Sequence, residues 1–146
     1  MSGFSESMMA VSIECGSVFL FPEDSFVDRN PHYFVVLNND PYTAVQLILV
    51  CATSQVVKRR AYSKYASLPK DTMVEITPFD CSIFPKPTIF DCNNLFIKSA
   101  QELLDKMKKG CFHYKGKIPN SLIKKLHDGV NLSPMVEEEI KQRLKI

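Results

Sequence analysis

Residues Gln46-Leu-Ile-Leu-Val-Cys-Ala-Thr-Ser-Gln55 are followed directly by Val56-Val-Lys-Arg-Arg-Ala-Tyr-Ser-Lys-Tyr65. The first segment is an apolar run that ends in hydroxyl and amide side chains, which predicts a buried strand over Val45–Ala52. The second segment carries four cations and two tyrosines, and we interpret it as a basic loop. A buried strand that ends beside clustered cations is typical of a surface that holds an anionic polymer.

The length of 146 residues predicts one domain over residues 1–146. Within it we expect a loose tail over 1–15, strands over 14–98 and a helical part over 99–146. No apolar run approaches the ~20 residues that a membrane span needs. Basic residues are missing before the first apolar stretch, which is not typical of a secretory signal. We therefore expect a cytoplasmic protein without a membrane segment.

The formal net charge of +2 hides a segregated charge pattern. Residues 1–45 carry six acids and one base, residues 46–125 carry fourteen bases and six acids, and residues 126–146 carry four acids and three bases. The basic middle part is suited to phosphate groups. A solvated lysine-rich face is the alternative interpretation of the same pattern.

The five cysteines are odd in number, and no two of them have a Cys-x-x-Cys spacing. In a cytosolic protein this favours reduced thiols that pack as small apolar side chains. Cys111 and His113 lie close together, but no second pair completes a metal site. We therefore expect neither a metal nor another cofactor.

Short β-branched and aromatic runs between turn residues predict five or six strands. They lie at Gly16–Phe21, Tyr33–Leu37, Val45–Ala52, Met73–Thr77 and Thr88–Asn93, with Leu95–Ile97 as a continuation or a sixth strand. Parallel strands would need helical crossovers between them, and the early strands have none. The predicted fold is mainly β, a small antiparallel barrel with helices at its C-terminal end.

The C-terminal third changes to a helical period. Ser99 and Glu102 form a predicted capping box for a helix that ends at Gly110. A second helix is predicted from Pro119 to a stop at Gly129. Ser133-Pro134 predicts the start of a third helix, with an apolar stripe from Met135 to Leu144.

Five segments in order along the chain resemble one known family. They are Gly16–Leu20, Pro31–Asn38, Val50–Gln55, Lys86–Asp91 and Lys117–Leu126. Their glycine-hydrophobic opening, their strand that ends in Thr-Ser-Gln and their Lys-x-Thr strand resemble PemK/MazF-type toxins. The resemblance implies an SH3-like barrel of the CcdB/PemK-like kind and a homodimer. It also implies a metal-independent ribonuclease that a cognate antitoxin neutralises.

One position departs from the family pattern. His32 stands where the family places an arginine at the start of the second strand, and Arg29 would serve only if the register slipped. Metal-independent RNA cleavage needs a base, an acid and donors for the phosphate. We assign His32 as the base or acid, Thr53 as a phosphate donor and Arg59, or its neighbour Arg60, as the cation that neutralises developing charge.

The remaining candidates would bind single-stranded RNA. Ser54 would donate to the phosphate, Gln55 would contact a base edge, and tyrosines would stack on unpaired bases. The full substrate-binding set is Ser54, Gln55, Lys58, Arg60, Tyr62 and Tyr65. Each of these residues also has a structural interpretation, as a strand end, a soluble surface or a cover over the barrel.

Two other functions stay open. A CcdB-like inhibitor would bind a protein through the stripe from Met135 to Leu144. A non-catalytic SH3-like module would bind nucleic acid or protein through the basic segment. The expected product of the leading function, RNA cleavage, is a 2′,3′-cyclic phosphate with a 5′-hydroxyl.

Overall fold

A computed structural model of the chain describes residues 13–41, 44 and 46–144. The strands are β1 (Ser17–Phe21), β2 (His32–Val36), β3 (Gln46–Thr53), β4 (Met73–Ile76), β5 (Thr88–Ser99) and β6 (His113–Lys117). The helices are α1 (Val56–Tyr65), α2 (Ala100–Lys108), α3 (Asn120–Leu132) and α4 (Glu138–Arg143), with a 3₁₀ turn at Lys70–Thr72. Within the described ranges, every helix is too short or too polar to cross a membrane.

The six strands form one sheet in the order β4-β5-β3-β2-β1-β6, and every neighbouring pair is antiparallel. This confirms the predicted mainly antiparallel fold with C-terminal helices. The sheet is not closed into a barrel, because the edge strands β4 and β6 do not pair with each other in the described part of the chain. The predicted barrel is therefore an open six-stranded sheet.

The core lies on both faces of the sheet. One face packs against α3 and α4, through residues such as Val50, Phe90 and Leu126. The other face packs against α2, through residues such as Phe34, Leu49 and Leu103. Because β2 and β3 are covered on both faces, their sequences are continuous apolar runs rather than alternating ones.

Three boundaries differ from the sequence-based expectation. The segment interpreted as a basic loop is the helix α1. Its only buried residue is Ser63, so it has no apolar stripe for a helical period to show. Strand β6 lies inside the part predicted to be helical, and the strand predicted at Thr88–Asn93 continues without a break to Ser99.

The C-terminal helices begin and end partly as predicted. Ser99 caps α2, because its Oγ accepts from the Glu102 N–H at 3.1 Å while its own N–H donates to Glu102 Oε1 at 3.2 Å. Helix α3 does not stop at Gly129 but continues to Leu132. Helix α4 begins at Glu138, so the predicted start at 133–134 is wrong. The predicted tail lies outside the described residues, apart from residues 13–15.

Candidate functional site

The start of β2 and the end of β3 lie side by side at one end of the central strands. Tyr33 pairs with Ala52 across the two antiparallel strands, so the next residues outward are His32 and Thr53. A cleft of about 440 Å³ opens at this point. Its walls are the segments before β2 and before β5, and it is lined by Asp28, Asn30, Pro31, His32, Tyr33, Ala52, Thr53, Ser54, Gln55, Phe84, Pro85, Lys86 and Thr88.

His32 is held in a defined orientation. Its Nε2 lies 3.2 Å from Asp28 Oδ2, and its ring packs edge-on against Phe26 with centroids 4.8 Å apart. Asp28 is itself fixed, because its Oδ1 accepts from the Asn30 N–H at 2.7 Å. When Nε2 donates to the carboxylate, Nδ1 of the neutral imidazole is an acceptor. The histidine can therefore accept a proton at Nδ1.

The end of β3 presents polar groups to the same cleft. Thr53 Oγ1 accepts from the Gln55 N–H at 3.1 Å, which leaves the hydroxyl proton available for another acceptor. Ser54 and Gln55 are exposed. Helix α1 begins immediately after Gln55, so the positive end of its dipole is next to the cleft. Lys86, also exposed, lies on another wall. These groups give the cleft several donors and a cation for an anionic ligand.

The other predicted site residues lie along α1 and not in the cleft. Arg59 and Tyr62 line a second cavity of about 250 Å³. Arg60 is bound to Glu75 through two nitrogens, with Nε 3.1 Å from Glu75 Oε2. Lys58 and Tyr65 are exposed on the same helix.

The sequence reasoning missed two residues of the cleft, Asp28 and Lys86. Asp28 lies four residues before His32, and it can orient the imidazole only because the loop between them brings its carboxylate to Nε2. Lys86 begins one of the segments that carry the family resemblance, and this was the available signal. Arg59, predicted as the charge-neutralising cation, lines the second cavity, whereas Lys86 lines the cleft.

The loop that carries Asp28 is tied to the body of the protein at its start. Glu23 is 4% exposed, and its Oε1 lies 2.7 Å from the ammonium of Lys98 on β5. Lys106 of α2 donates to the carbonyl oxygen of Pro22 at 3.0 Å. These ties fix the segment that leads into His32.

The described residues that line the cleft include no cysteine. All five cysteines are free, and burial raises the pKa of Cys51 and Cys92 to about 12. Among the residues that the structure describes, no three His, Cys, Asp or Glu side chains are grouped as a metal-ligand set.

Comparison with solved structures finds a related architecture. The chain shares its fold with a mycobacterial endoribonuclease. That structure is described as an endoribonuclease in complex with its cognate antitoxin from Mycobacterial species, and it superposes with a TM-score of 0.53 at 14% sequence identity. The match covers 81% of this chain and 90% of the other. No family model matches the sequence, and no curated protein matches it.

Proposed function

We propose that this protein is a metal-independent endoribonuclease that cleaves single-stranded RNA and forms a toxin–antitoxin pair. The observation that carries the proposal is the cleft beside the start of β2 and the end of β3, which His32, Thr53 and Lys86 all line. The fold shared with the mycobacterial endoribonuclease supports it. An antitoxin is proposed because that endoribonuclease is bound to its cognate one. A homodimer is proposed from the family resemblance, and a cytoplasmic location is proposed from the sequence pattern described above.

The proposed reaction begins at His32. Its Nδ1 takes the proton of the ribose 2′-hydroxyl while Asp28 holds Nε2. The 2′-oxygen then forms a bond to phosphorus, and the bond from phosphorus to the 5′-oxygen breaks. A proton from the Lys86 ammonium goes to that leaving oxygen. The products are a 2′,3′-cyclic phosphate and a 5′-hydroxyl, and each proton transfer contributes about 10²–10⁴-fold to the rate.

The phosphate oxygens would be held by the end of β3. The Thr53 hydroxyl, whose oxygen already accepts from Gln55 N–H, donates to a non-bridging oxygen, and Ser54 does the same. Lys86 takes the charge-neutralising role for which the sequence suggested Arg59. None of these proposed roles uses a metal ion, so we expect the reaction to proceed in the presence of a chelator.

The RNA strand would continue along α1. This helix carries Lys58, Arg59 and Lys64 and has no acid in its first turn. Tyr62 and Tyr65 are 51% and 88% exposed, and stacking of a base on each contributes about 1–3 kcal/mol. Gln55 lies between the cleft and the helix, where it would contact a base edge.

The inhibitor alternative depended on the apolar stripe from Met135 to Leu144. Ile140 is 9% exposed and Leu144 is 5% exposed, and both belong to the core. Met135 is the exposed member of the stripe, at 63%. This gives a protein partner little apolar surface on α4, so we favour RNA cleavage.

The test is incubation of antitoxin-free protein with mixed single-stranded RNA in EDTA. We expect cleavage that leaves 2′,3′-cyclic phosphate ends. The double variant His32→Ala, Thr53→Ala should lose at least about 10²-fold in rate. His113→Ala is the matched control, because His113 is an exposed histidine on β6 outside the cleft.

Two results would count against the proposal. Absence of cleavage by the unaltered protein at high excess over RNA would reject the activity and leave a binding module. Cleavage retained by the double variant would place the reaction somewhere other than this cleft.

A further inference from the structure

Strand β5 carries a bulge of polar residues opposite the end of β3. Val50 pairs with Leu95, but Ala52 pairs with Phe90. Cys51 therefore faces the four residues 91–94, whose sequence is Asp-Cys-Asn-Asn. Bulges re-aim side chains and are frequent next to active sites. Here the bulge turns polar side chains towards α1.

Between the bulge and α1 lies the second cavity. Its volume is about 250 Å³, and its polar and aromatic lining consists of Arg59, Tyr62, Asp91, Asn93 and Asn94. This is below the roughly 300–1,000 Å³ of pockets for drug-sized ligands. The cavity therefore suits one small ring system, such as a nucleobase.

Asn93 is committed to the protein itself. Its Nδ2 donates to Thr72 Oγ1 at 2.8 Å and to Asp91 Oδ1 at 3.0 Å. Its Oδ1 accepts from Ser133 Oγ at 2.6 Å. All its hydrogen-bonding capacity inside the fold is thus directed to holding Asp91 and the neighbouring turn, so Asn93 is a positioning residue.

Asp91 keeps one oxygen for a ligand. Its Oδ1 accepts from both nitrogens of Asn93, whereas its Oδ2 accepts no hydrogen bond from any described residue. The residue is only 9% exposed. Because Asp91 lines the cavity, its Oδ2 can accept hydrogen bonds from a ligand with N–H groups.

Arg59 lines the same cavity, and its guanidinium has no hydrogen bond or ion pair with the described residues. Arg59 and Asp91 therefore face one cavity without pairing with each other. A ligand with donors on one edge and acceptors on the next would satisfy both groups. Tyr62 adds an aromatic ring for stacking.

We infer that this cavity binds a guanine base of the RNA substrate, an inference that rests on the proposed function. Guanine carries adjacent N1–H and N2–H donors that can both reach the remaining oxygen of Asp91, Oδ2, and its O6 and N7 acceptors match an arginine fork. Adenine offers an acceptor at N1, which would face the carboxylate and be repelled.

The position of the cavity fits a base next to the cleaved bond. Gln55 lines the cleft and directly precedes α1. Arg59 is four residues further, about 6 Å along a helix axis at 1.5 Å per residue. A strand whose phosphate lies in the cleft can place a neighbouring base beside Arg59 and Tyr62.

The test is equilibrium dialysis of the full chain against labelled guanosine, inosine and adenosine 5′-monophosphates. We expect guanosine monophosphate to be retained about 5- to 100-fold better than adenosine monophosphate, the range for one bidentate base contact. Inosine monophosphate, which lacks the N2 amino group, should fall between them.

Asp91→Asn should abolish this preference. An asparagine oxygen still accepts from the Asn93 N–H, so the bulge is kept while the carboxylate is lost. Asp128→Asn is the matched control, because Asp128 is an exposed acid on α3 that pairs with Lys124 at 2.9 Å. It should leave the preference unchanged.

Tyr62→Ala gives a second measurement that does not endanger the fold. It should lower retention of all three nucleotides, whereas Tyr114→Ala should not, although both tyrosines are 51% exposed. In cleaved RNA, guanine should recur at a fixed position near the cut, and Asp91→Asn should remove that recurrence.

The outcomes separate the two proposals. Equal retention of guanosine and adenosine monophosphates, or a preference that survives Asp91→Asn, overturns the guanine site whether or not RNA is cleaved. A guanine preference in a protein that cleaves no RNA supports the cavity and rejects the proposed ribonuclease. His32→Ala should stop cleavage and leave nucleotide retention unchanged.

Discussion

Glu23→Gln tests how firmly the loop before β2 is held. The carboxylate contacts Lys98 Nζ at 2.7 Å and Ser25 Oγ at 2.5 Å, and the Glu23 side chain is 4% exposed. Glutamine keeps the shape but leaves the Lys98 ammonium, 15% exposed, without its main counterion. Breaking a buried pair this way costs about 3–5 kcal/mol. Glu102 lies 3.9 Å from the same ammonium, so we expect a loss of about 2–3 kcal/mol.

The assays are urea unfolding, which gives the free energy, and thermal unfolding, both followed by circular dichroism at neutral pH. The midpoint of thermal unfolding should fall by about 5–10 °C for a chain of this length. Glu14→Gln is the matched control, because Glu14 pairs with Lys117 at 3.4 Å on the surface, where a pair contributes under about 1 kcal/mol. Adding Lys98→Met to Glu23→Gln should restore stability, because no unpaired charge remains.

Lowering the pH should reduce the difference in unfolding free energy between the wild-type protein and Glu23→Gln. Burial opposes ionisation of Glu23, but hydrogen bonds from Lys98 and Ser25 outweigh it, and the pKa of this carboxyl is lowered below its usual value. A lowered pKa in the folded state stabilises above the unfolded-state pKa of about 4.3, and this contribution disappears as pH falls through the folded-state value. The gap between wild type and variant should therefore narrow below about pH 4.

Either of two results would contradict a buried ion pair between Glu23 and Lys98. One is a loss below about 1 kcal/mol at neutral pH, which is the range of an exposed pair. The other is a double variant no more stable than Glu23→Gln alone, because the cost would then not come from the unpaired Lys98.

Three further predictions concern a close helix–strand contact, a helix cap and a buried thiol. Gly129→Ala would place a Cβ 2.8 Å from Cys92 Sγ and 3.0 Å from the Asp71 carbonyl oxygen. It should destabilise by about 1–3 kcal/mol in urea unfolding, and a neutral result would contradict the close approach of α3 to β5. Ser99→Ala removes the cap on Glu102 N–H and should cost about 1 kcal/mol; an unchanged midpoint would argue against the capping box. Burial raises the Cys92 pKa to about 12, so this thiol should resist alkylation at slightly alkaline pH until the protein unfolds, and rapid labelling of folded protein would contradict its burial.

The central strands β2 and β3 were predictable because strands buried on both faces consist of continuous apolar residues. Tyr33–Leu37 was expected and His32–Val36 was found, and Val45–Ala52 became Gln46–Thr53. An apolar run of that length between turn residues is typical of a buried strand. The capping box at Ser99 was equally local, since both partners lie within four residues.

Elements held by tertiary contacts were not predictable. Helix α1 has one buried residue, Ser63, and its link to the sheet includes the contact between Arg60 and Glu75, fifteen residues away. Strand β6 is almost entirely exposed and pairs only with β1 in the described residues, so its sequence His-Tyr-Lys-Gly-Lys shows no alternation. In both cases the partner, and not the segment, determines the structure.

Half of the candidate site followed from topology. Antiparallel neighbours place the start of one strand beside the end of the next, and this brought His32 and Thr53 together as expected. The orienting carboxylate of Asp28 depends on the fold of a nine-residue loop, Glu23–Pro31, and a sequence pattern gives no such distance. Lys86 lies in the segment before β5, which is distant in sequence from His32 and Thr53, so its position in the cleft also needed the structure.

The helical state of residues 56–65 changes how the basic segment can act. A flexible loop of that length could fold its cations onto one phosphate. A ten-residue helix instead spreads them over about 9 Å along its axis, from Lys58 to Lys64, and it leads away from the cleft where it begins. In the proposed ribonuclease these cations would follow successive phosphates of a strand, and Lys86 would neutralise charge at the reacting phosphorus. Substrate binding would then fall to α1 with the β5 bulge, and chemistry to the start of β2 and the end of β3 with Lys86.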